Sequence, residues 1–346
     1  MEGRDQLGDK TDSTVAFCVT GATGYIGSWL VKSLLQKGYK VHATARDPAK
    51  TSDIMSSWCG GDRLKVFKAD LQEEGSFDEA VEGCDGVFHV AASMEFSVPV
   101  EDNIDGYVRS NILKPSTKGT LNLLRACSKA KSVKRVVFTS SISTITAKDE
   151  AGKWRPKVDE SCRVPIDHVW NLKASGWVYA LSKLMSEEAA FQFADNYGLD
   201  VVSIIPTTVA GPFLTSAVPT SIQVLLSPIT GDPEFYPILS AVHSRLGSIS
   251  VVHIEDVCNA HIFLMEEVAA KGPYICSAHS CTMGQLVHLL AQEHPCFNKQ
   301  RFCEEENSSV RSLISSRKLK ALGFEYKYSL GDIILQSLYL RDGVQN

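Results

Sequence analysis

Short runs of apolar residues alternate with longer amphipathic segments over roughly the first two thirds of the chain. The run from Val15 to Thr20 predicts a buried strand, and the apolar positions from Ile26 to Leu35 recur at the spacing of a helix face. Further strands are predicted at 40–45, 64–69, 86–92, 135–139 and 201–205. Because helical segments separate these strands, the order predicts parallel crossovers and a doubly wound α/β sheet.

The last third of the chain predicts a smaller C-terminal α/β lobe. Helices are predicted there at 283–293, 310–322 and 329–339. Upstream, the polar residues 148–176 are predicted as a loop over the carboxyl edge of the sheet. A long helix is then predicted from Trp177 to a glycine stop at Gly198.

Three glycines interrupt the chain between the first strand and the first helix. Gly21, Gly24 and Gly27 are spaced three apart, which differs from the G-x-G-x-x-G of the common dinucleotide fingerprint. Backbone N–H groups at a helix start lie at the positive end of the helix dipole, so a pyrophosphate can dock where no side chain blocks it. The spacing leaves two interpretations open, an anion site or an ordinary tight turn of an α/β protein.

Charged residues follow the second and third predicted strands. Arg46 comes directly after the second strand, where an acidic residue would bind a free ribose hydroxyl and an arginine would pair with a 2′-phosphate. Arg46 therefore favours NADP over NAD, with Lys50 as a second cation. Asp47 is an acidic competitor, and a solvated surface arginine is the alternative interpretation. Asp70 follows the third strand, where its carboxylate can accept a hydrogen bond from an adenine amino group.

Hydroxyl and amine groups supply the candidate chemistry. Ser140 and Ser141 follow the strand at 135–139, at the sheet edge where ligands bind in doubly wound folds. Tyr179 and Lys183 are four residues apart and share a helix face. An ammonium near a phenol favours the phenolate, so the pKa of Tyr179 is expected to fall and allow proton transfer near neutral pH. A surface pair on a helix is the alternative interpretation.

The composition is that of an ordinary globular protein, since 44% of the 346 residues are hydrophobic and 22% are charged. The formal charge of −5 argues against nucleic acid as a partner, and no apolar run reaches membrane-spanning length. The ten cysteines are scattered without a CxxC pair, so reduced thiols are expected and no metal site is predicted. We expect a cytoplasmic monomer or weak homodimer without membrane insertion.

Three motifs, TGATGYIG, FTSS and YALSK, occur in that order and resemble the extended short-chain dehydrogenase/reductase family. The resemblance implies a Rossmann sheet and a catalytic set of Ser141, Tyr179 and Lys183, with Ser140 as a neighbour of the catalytic serine. Tyr179 would be the proton donor, and Lys183 would hold the nicotinamide ribose and tune Tyr179. One departure is Ser116, at a position where many extended members carry asparagine.

Further segments narrow the resemblance to the plant dihydroflavonol reductase and anthocyanidin reductase group. These segments are RDP at Arg46, GVFHVA at Gly86, VVHIEDV at Val251, GPYICSAHS at Gly272 and LGFEYKYSL at Leu322. The similarity runs from about Ser13 to about Leu340. Thr146 stands where dihydroflavonol reductases usually carry an asparagine, and with TSAVPTSI from Thr215 it makes the chain most similar to anthocyanidin reductases.

The resemblance implies an NADPH-dependent reductase that converts anthocyanidins to flavan-3-ols. Reduction of dihydroflavonols to flavan-3,4-diols is the alternative, and a catalytically silent dinucleotide-binding protein is a third. The expected NADPH contacts are Gly21, Thr23, Gly24, Tyr25, Ile26, Gly27, Arg46, Lys50, Asp70, Leu71, Val90, Ala91, Ala92, Tyr179, Lys183, Pro206 and Thr207. The expected contacts of the small-molecule flavonoid are Ser93, Thr146 and Thr208.

The resemblance also divides the chain into domains. Residues 1–13 are expected to be a disordered tail, 14–206 mainly the NADP-binding Rossmann domain and 207–346 mainly the substrate lobe. The segment 249–268 is expected to return to the Rossmann domain. Within the predicted Rossmann domain, His89 is interpreted as a core histidine because its strand neighbours are apolar.

Overall fold

The computed structural model describes residues 14–51, 58, 60–92, 95, 98–99, 102–293 and 309–338. Its strands are β1 (Ala16–Thr20), β2 (Lys40–Ala45), β3 (Leu64–Lys68), β4 (Gly86–His89), β5 (Arg135–Thr139), β6 (Lys157–Val158), β7 (Asp200–Pro206), β8 (Thr208–Ala210), β9 (Ile249–His253), β10 (Gly272–Cys276), β11 (His279–Cys281) and β12 (Leu313–Ile314). Its helices are α1 (Tyr25–Gln36), α2 (Asp78–Val81), α3 (Ile104–Val108), α4 (Lys114–Ala130), α5 (Ile166–Leu172), α6 (Trp177–Tyr197), α7 (Thr220–Thr230), α8 (Phe235–Leu246), α9 (Ile254–Glu266), α10 (Met283–Glu293), α11 (Arg317–Ala321) and α12 (Leu330–Leu338).

Seven strands form a parallel sheet in the order β10-β7-β5-β4-β1-β2-β3. Every residue of β1, β4 and β5 is buried, as expected for strands covered by helices on both faces. The strand order reverses direction between β1 and β4, which creates the crevice that doubly wound folds use for ligands. The doubly wound Rossmann sheet predicted from the sequence is therefore confirmed.

Helices cover the sheet in two layers. On one face, α1 packs against α9, and their apolar residues, including Leu30, Leu34 and Ile262, form one core with the strands. On the other face, α4 packs against α6 around Leu123 and Phe193. A fully buried leucine contributes about 1.5–3 kcal/mol of transfer free energy, so these layers hold the edge of the sheet in a fixed geometry.

A smaller lobe lies in the C-terminal half. Its sheet has the order β11-β9-β8, and its core includes residues of α7, α8, α10 and α12. The chain enters and leaves this lobe more than once, because α9 packs on α1 and β10 pairs with β7 in the central sheet. The confirmed α/β lobe is thus interleaved with the main sheet, and β10 lies beyond the 249–268 segment that the sequence analysis assigned to the Rossmann domain.

Three local predictions are wrong. Residues 148–176 contain β6 and α5 rather than a continuous loop, and residues 310–322 contain β12 before the short helix α11. The cause is pairing between distant segments, since β6 and β12 form a parallel pair that local periodicity cannot reveal. The fourth strand ends at His89 instead of Ala92, because the next two N–H groups, of Val90 and Ala91, bind the Thr20 side chain.

The cysteines were predicted to be reduced thiols, and the structure confirms this for those that it describes. Seven cysteines lie in the described ranges, and all seven are buried free thiols. Burial raises the pKa of thiols such as Cys84, to about 12, which keeps them protonated. Among the helices that the structure describes, none combines the length and the apolar character that a membrane span requires.

Candidate active site

The glycine turn packs closely against the loop that follows β4. Gly21 has φ of +67°, and a Cβ atom there would lie 2.9 Å from the Cα atom of Ala91. A Cβ atom on Gly27 would lie 2.1 Å from the carbonyl oxygen of Gly21. Gly24 is exposed, so it is the glycine of this turn that leaves the backbone open to a ligand.

Helix α1 begins in this turn without a capping side chain from the part of the chain that the structure describes. The first bond of the helix runs from the N–H of Ser28 to the oxygen of Gly24, at 2.9 Å. The N–H groups of Tyr25, Ile26 and Gly27 therefore precede the hydrogen-bond ladder of α1. An uncapped helix start beside an exposed glycine fits the pyrophosphate of a dinucleotide.

Thr20 and His89 fix the loop that faces this turn. The Thr20 hydroxyl accepts from the N–H groups of Val90 and Ala91, at 3.1 and 3.0 Å, and lies 3.1 Å from Nδ1 of His89. Because the oxygen already accepts two N–H groups, its own hydrogen points to Nδ1, and Nε2–H donates to Thr120, at 3.1 Å. Burial lowers the pKa of His89 to about 3, so this histidine is neutral and lies in the core as predicted.

The predicted adenosine contacts lie at the ends of β2 and β3, next to the glycine turn. Arg46 is exposed directly after β2, and Lys50 belongs to the short 3₁₀ turn Pro48–Thr51. Asp70 is half-buried after β3, and its Oδ1 accepts from the N–H of Gln72 at 2.9 Å. This edge of the sheet therefore carries Arg46 and Asp70, where the ribose and the adenine are expected from the sequence.

Ser141 and Tyr179 meet at the end of β5. The N–H of Ser143 donates to Ser141 Oγ at 3.1 Å, which leaves the Ser141 hydrogen available for another acceptor. The hydroxyl groups of Ser141 and Tyr179 are hydrogen-bonded to each other. The fold thus joins a serine from a strand end to a tyrosine from the first turn of α6.

Lys183 lies one helical turn after Tyr179 and is only 5% exposed. Its Nζ atom donates to the carbonyl oxygen of Thr139 at 2.8 Å and lies 6.0 Å from the centre of the Tyr179 ring. Burial lowers the pKa of Lys183 to about 8, and the nearby carboxylate of Glu187 opposes this shift. Lys183 is therefore a buried cation held at the end of β5.

The predicted fall in the pKa of Tyr179 is wrong for this structure. Burial raises the pKa of Tyr179, while the hydrogen bond with Ser141 lowers it. The ammonium of Lys183 is bound to Thr139 rather than to the phenol oxygen, so it does not favour the phenolate. Tyr179 is therefore a neutral phenol near neutral pH, which suits a proton donor.

A small cleft lies beside Lys183. Its lining includes Leu71, Ala91 and Ala92, three of the predicted cofactor contacts. Ser116 also lines it, and the buried Oγ of Ser116 has no hydrogen-bond partner among the residues described. The cleft therefore connects Lys183 to the loop at Ala91, which packs against the glycine turn.

Four other predicted residues lie around the end of β7 and in the loop after β5. Pro206 ends β7, and the N–H of the buried Thr207 donates to the carbonyl oxygen of Cys276 at 3.0 Å. Thr208 is half-buried in β8. Thr146 is buried, and its Oγ1 accepts from the N–H of Lys148 at 3.2 Å. Ser93 lies outside the described residues.

Glu187, which is 1% exposed, was not predicted from the sequence. Ser140 Oγ donates to its Oε2 atom at 2.9 Å, and Arg163 forms an ion pair with the same oxygen. A signal was present in the sequence, because Glu187 follows Lys183 by the same four-residue step that separates Lys183 from Tyr179. Over the ranges that the structure covers, no group of three His, Cys, Asp or Glu residues is arranged to hold a metal ion.

Comparisons with known proteins show the family of the chain. The model of the NAD dependent epimerase/dehydratase family matches residues 17–276. A putative anthocyanidin reductase from Ginkgo biloba is 43% identical over 328 residues, which cover 94% of each chain. A dihydroflavonol 4-reductase from Arabidopsis thaliana is 42% identical over 325 residues, 93% of this chain and 81% of the relative.

A solved structure shows that the similarity extends to the three-dimensional fold. Vestitone reductase from alfalfa (Medicago sativa) superposes with a TM-score of 0.75 at 31% identity, covering 93% of this chain and 96% of that chain. The resemblance inferred from the motifs is confirmed by these matches. The chain belongs to the NAD dependent epimerase/dehydratase family, in the group of NAD(P)-dependent oxidoreductases that includes anthocyanidin reductases and dihydroflavonol 4-reductases.

Proposed function

We propose that the chain is an NADPH-dependent reductase of flavonoids that converts anthocyanidins to flavan-3-ols. The observation that carries this proposal is the hydrogen-bonded pair of Ser141 and Tyr179 beside Lys183, at the sheet edge that also carries the glycine turn. The substrate class follows from the relatives named anthocyanidin reductase and dihydroflavonol 4-reductase.

The dinucleotide would bind at the uncapped start of α1, where Gly24 leaves the backbone open. Arg46 supports NADPH over NADH, because an exposed guanidinium at the end of β2 can pair with a 2′-phosphate. Ala91 and Ala92 would lie against the cofactor, since they line the cleft beside Lys183. When bound, the reduced nicotinamide supplies hydride.

The residues of the chain then orient the substrate and move a proton. Tyr179 is a neutral phenol and can donate its proton to a substrate oxygen. Ser141 holds the phenol oxygen in place through their hydrogen bond. Lys183, anchored to the carbonyl oxygen of Thr139, places a positive charge beside the ring of Tyr179 rather than on its phenol oxygen.

Dihydroflavonol 4-reduction is the second candidate. The observation that favours it is the nearly equal identity of the Arabidopsis thaliana relative, 42% against 43% for the Ginkgo biloba relative. Reduction of a ketone makes the proton from Tyr179 essential, whereas a flavylium cation is already electron-poor and depends more on the position of the hydride donor.

Product analysis with NADPH and a panel of cyanidin, pelargonidin and dihydroquercetin tests both candidates. A flavan-3-ol from the anthocyanidins, with two NADPH oxidised for each product, supports the first candidate. A flavan-3,4-diol from dihydroquercetin, with one NADPH oxidised, supports the second. NADPH binding without oxidation by any flavonoid would contradict both and identify a silent dinucleotide-binding protein.

A further inference from the structure

The carboxylate of Glu187 ties helix α6 to two neighbouring strands of the central sheet. Ser140, directly after β5, donates to Oε2 at 2.9 Å, and Ser203, within β7, donates to Oε1. Both oxygens of a side chain that is 1% exposed are therefore engaged by hydroxyl groups. This arrangement fixes the distance and the rotation of α6 relative to the sheet.

Arg163 connects the same carboxylate to the loop that carries Ser141. Its Nη2 forms an ion pair with Oε2 of Glu187, and its Nη1 donates to Thr144 Oγ1 at 3.0 Å. Thr144 Oγ1 in turn donates to the carbonyl oxygen of Ser141 at 2.8 Å. A buried carboxylate needs such a partner, and this one is shared with the segment that holds Ser141.

Tyr179, Lys183 and Glu187 follow one another at four-residue steps, so they lie along one face of α6. We propose that Glu187 is a positioning residue, whose carboxylate holds this face against β5 and β7 so that Tyr179 meets Ser141 and Lys183 reaches the carbonyl oxygen of Thr139. The expected effect of Glu187 on kcat rests on the proposed reductase function, whereas the placement of its carboxylate between α6 and the sheet does not.

The charge of Glu187 also acts on Lys183. Within the described ranges, the other titratable groups facing Lys183 are Tyr179 on the same helix and His89 from β4, while Arg163 faces Glu187 from the loop before α5. Glu187 raises the pKa of Lys183 against the larger, lowering effect of burial. Without this charge, Lys183 would lose its proton at a lower pH.

The substitution Glu187→Gln tests the proposal because it removes the charge and retains the shape. NADPH affinity, measured by fluorescence titration across the range of about pH 6 to 9, should weaken as Lys183 deprotonates. We expect the midpoint of this change to fall by about one pH unit in Glu187→Gln. We also expect kcat to fall roughly tenfold to hundredfold, because small displacements of reacting groups are costly.

Glu188→Gln is the matched control, since Glu188 is the adjacent, exposed carboxylate of the same helix. It should retain the midpoint and kcat of the wild type. A folded Glu187→Gln protein with the wild-type midpoint and kcat would overturn the proposal. A lower melting temperature as its only change would also overturn it, since that result assigns Glu187 a structural role alone.

Ser203→Ala keeps the proposal testable if Glu187→Gln does not fold. It removes one hydroxyl from Oε1 and no charge, so we expect a lower kcat with an unchanged midpoint. A wild-type kcat in Ser203→Ala would then overturn the proposal. The NADPH titration needs no flavonoid, so it tests Glu187 even if the wild type reduces none and the proposed function fails.

Discussion

The ammonium group of Lys183 and the backbone carbonyl oxygen of Thr139 lie 2.8 Å apart in a buried hydrogen bond. Thr139 is the last residue of β5, so the lysine is anchored to the strand end that continues into Ser141. The side chain of Thr139 is also engaged, because its Oγ1 lies 2.9 Å from Nε2 of His261 in α9. Helix α6, strand β5 and helix α9 therefore meet at one residue.

Tyr179→Phe removes the proposed proton donor and leaves the ring in place. We expect kcat for flavonoid reduction to fall roughly 10²–10⁴-fold, with NADPH binding retained, because the pyrophosphate site proposed at the uncapped start of α1 does not include Tyr179. Tyr197→Phe, the same change at the exposed end of α6, is the control and should keep the wild-type rate. Unchanged turnover in Tyr179→Phe would remove the tyrosine from the mechanism.

Arg46→Ala tests the choice between NADPH and NADH. Loss of a charge-assisted hydrogen bond to the 2′-phosphate should weaken NADPH binding by roughly tenfold to hundredfold and leave NADH binding nearly unchanged. Lys40→Ala replaces an exposed cation at the opposite end of β2 and should alter neither. Steady-state kinetics with both dinucleotides measures the ratio of kcat/KM for NADPH to kcat/KM for NADH. An intact NADPH preference in Arg46→Ala would exclude the arginine from this role.

Gly27→Ala tests how closely the glycine turn is packed. The added Cβ would lie 2.1 Å from the Gly21 oxygen, so α1 has to move away from β1. We expect a loss of several kcal/mol in the free energy of unfolding, as for other overpacked sites, and weak NADPH binding. In Gly331→Ala, by contrast, the nearest atom is 3.8 Å away, so urea unfolding should show wild-type or slightly higher stability.

The glycine turn and the tyrosine–lysine pair could be read from the sequence because each is local. Gly21, Gly24 and Gly27 lie within one turn, and Tyr179 and Lys183 lie on one helix, so spacing alone places them. The parallel arrangement of the strands follows in the same way from the alternation of strands with helices. These features carry most of the fold and the core of the site.

Long-range contacts could not be predicted from the same patterns. The pairing of β6 with β12 joins segments that are far apart in the sequence, and neither segment has a distinctive periodicity. The bond between Lys183 and Thr139 changes the expected electrostatics of Tyr179, yet it depends on where α6 lies over the sheet. Glu187 was overlooked because its partners, Ser140 and Ser203, belong to separate strands.

Two buried histidines should make the folded state sensitive to acid. Burial lowers the pKa of His89 to about 3 and that of His261 to about 4, whereas a histidine in an unfolded chain has a pKa of about 6.5. Below about pH 6.5 the unfolded state therefore binds protons that the folded state does not. We expect the free energy of unfolding to fall as the pH falls toward about 4, by at most about 1.4 kcal/mol per pH unit for each histidine.

Urea unfolding between about pH 7 and pH 5 measures this dependence, and His261→Gln isolates one of the two groups. The variant should be less stable at neutral pH, because the carbonyl of Val257 and the hydroxyl of Thr139 lose their ring partner. Its stability should nevertheless fall less steeply with acid, since one fewer side chain titrates on unfolding. His168→Gln, at an exposed position of α5, should keep the wild-type slope. A full wild-type slope in His261→Gln would show that burial of this neutral imidazole is not a source of the acid sensitivity.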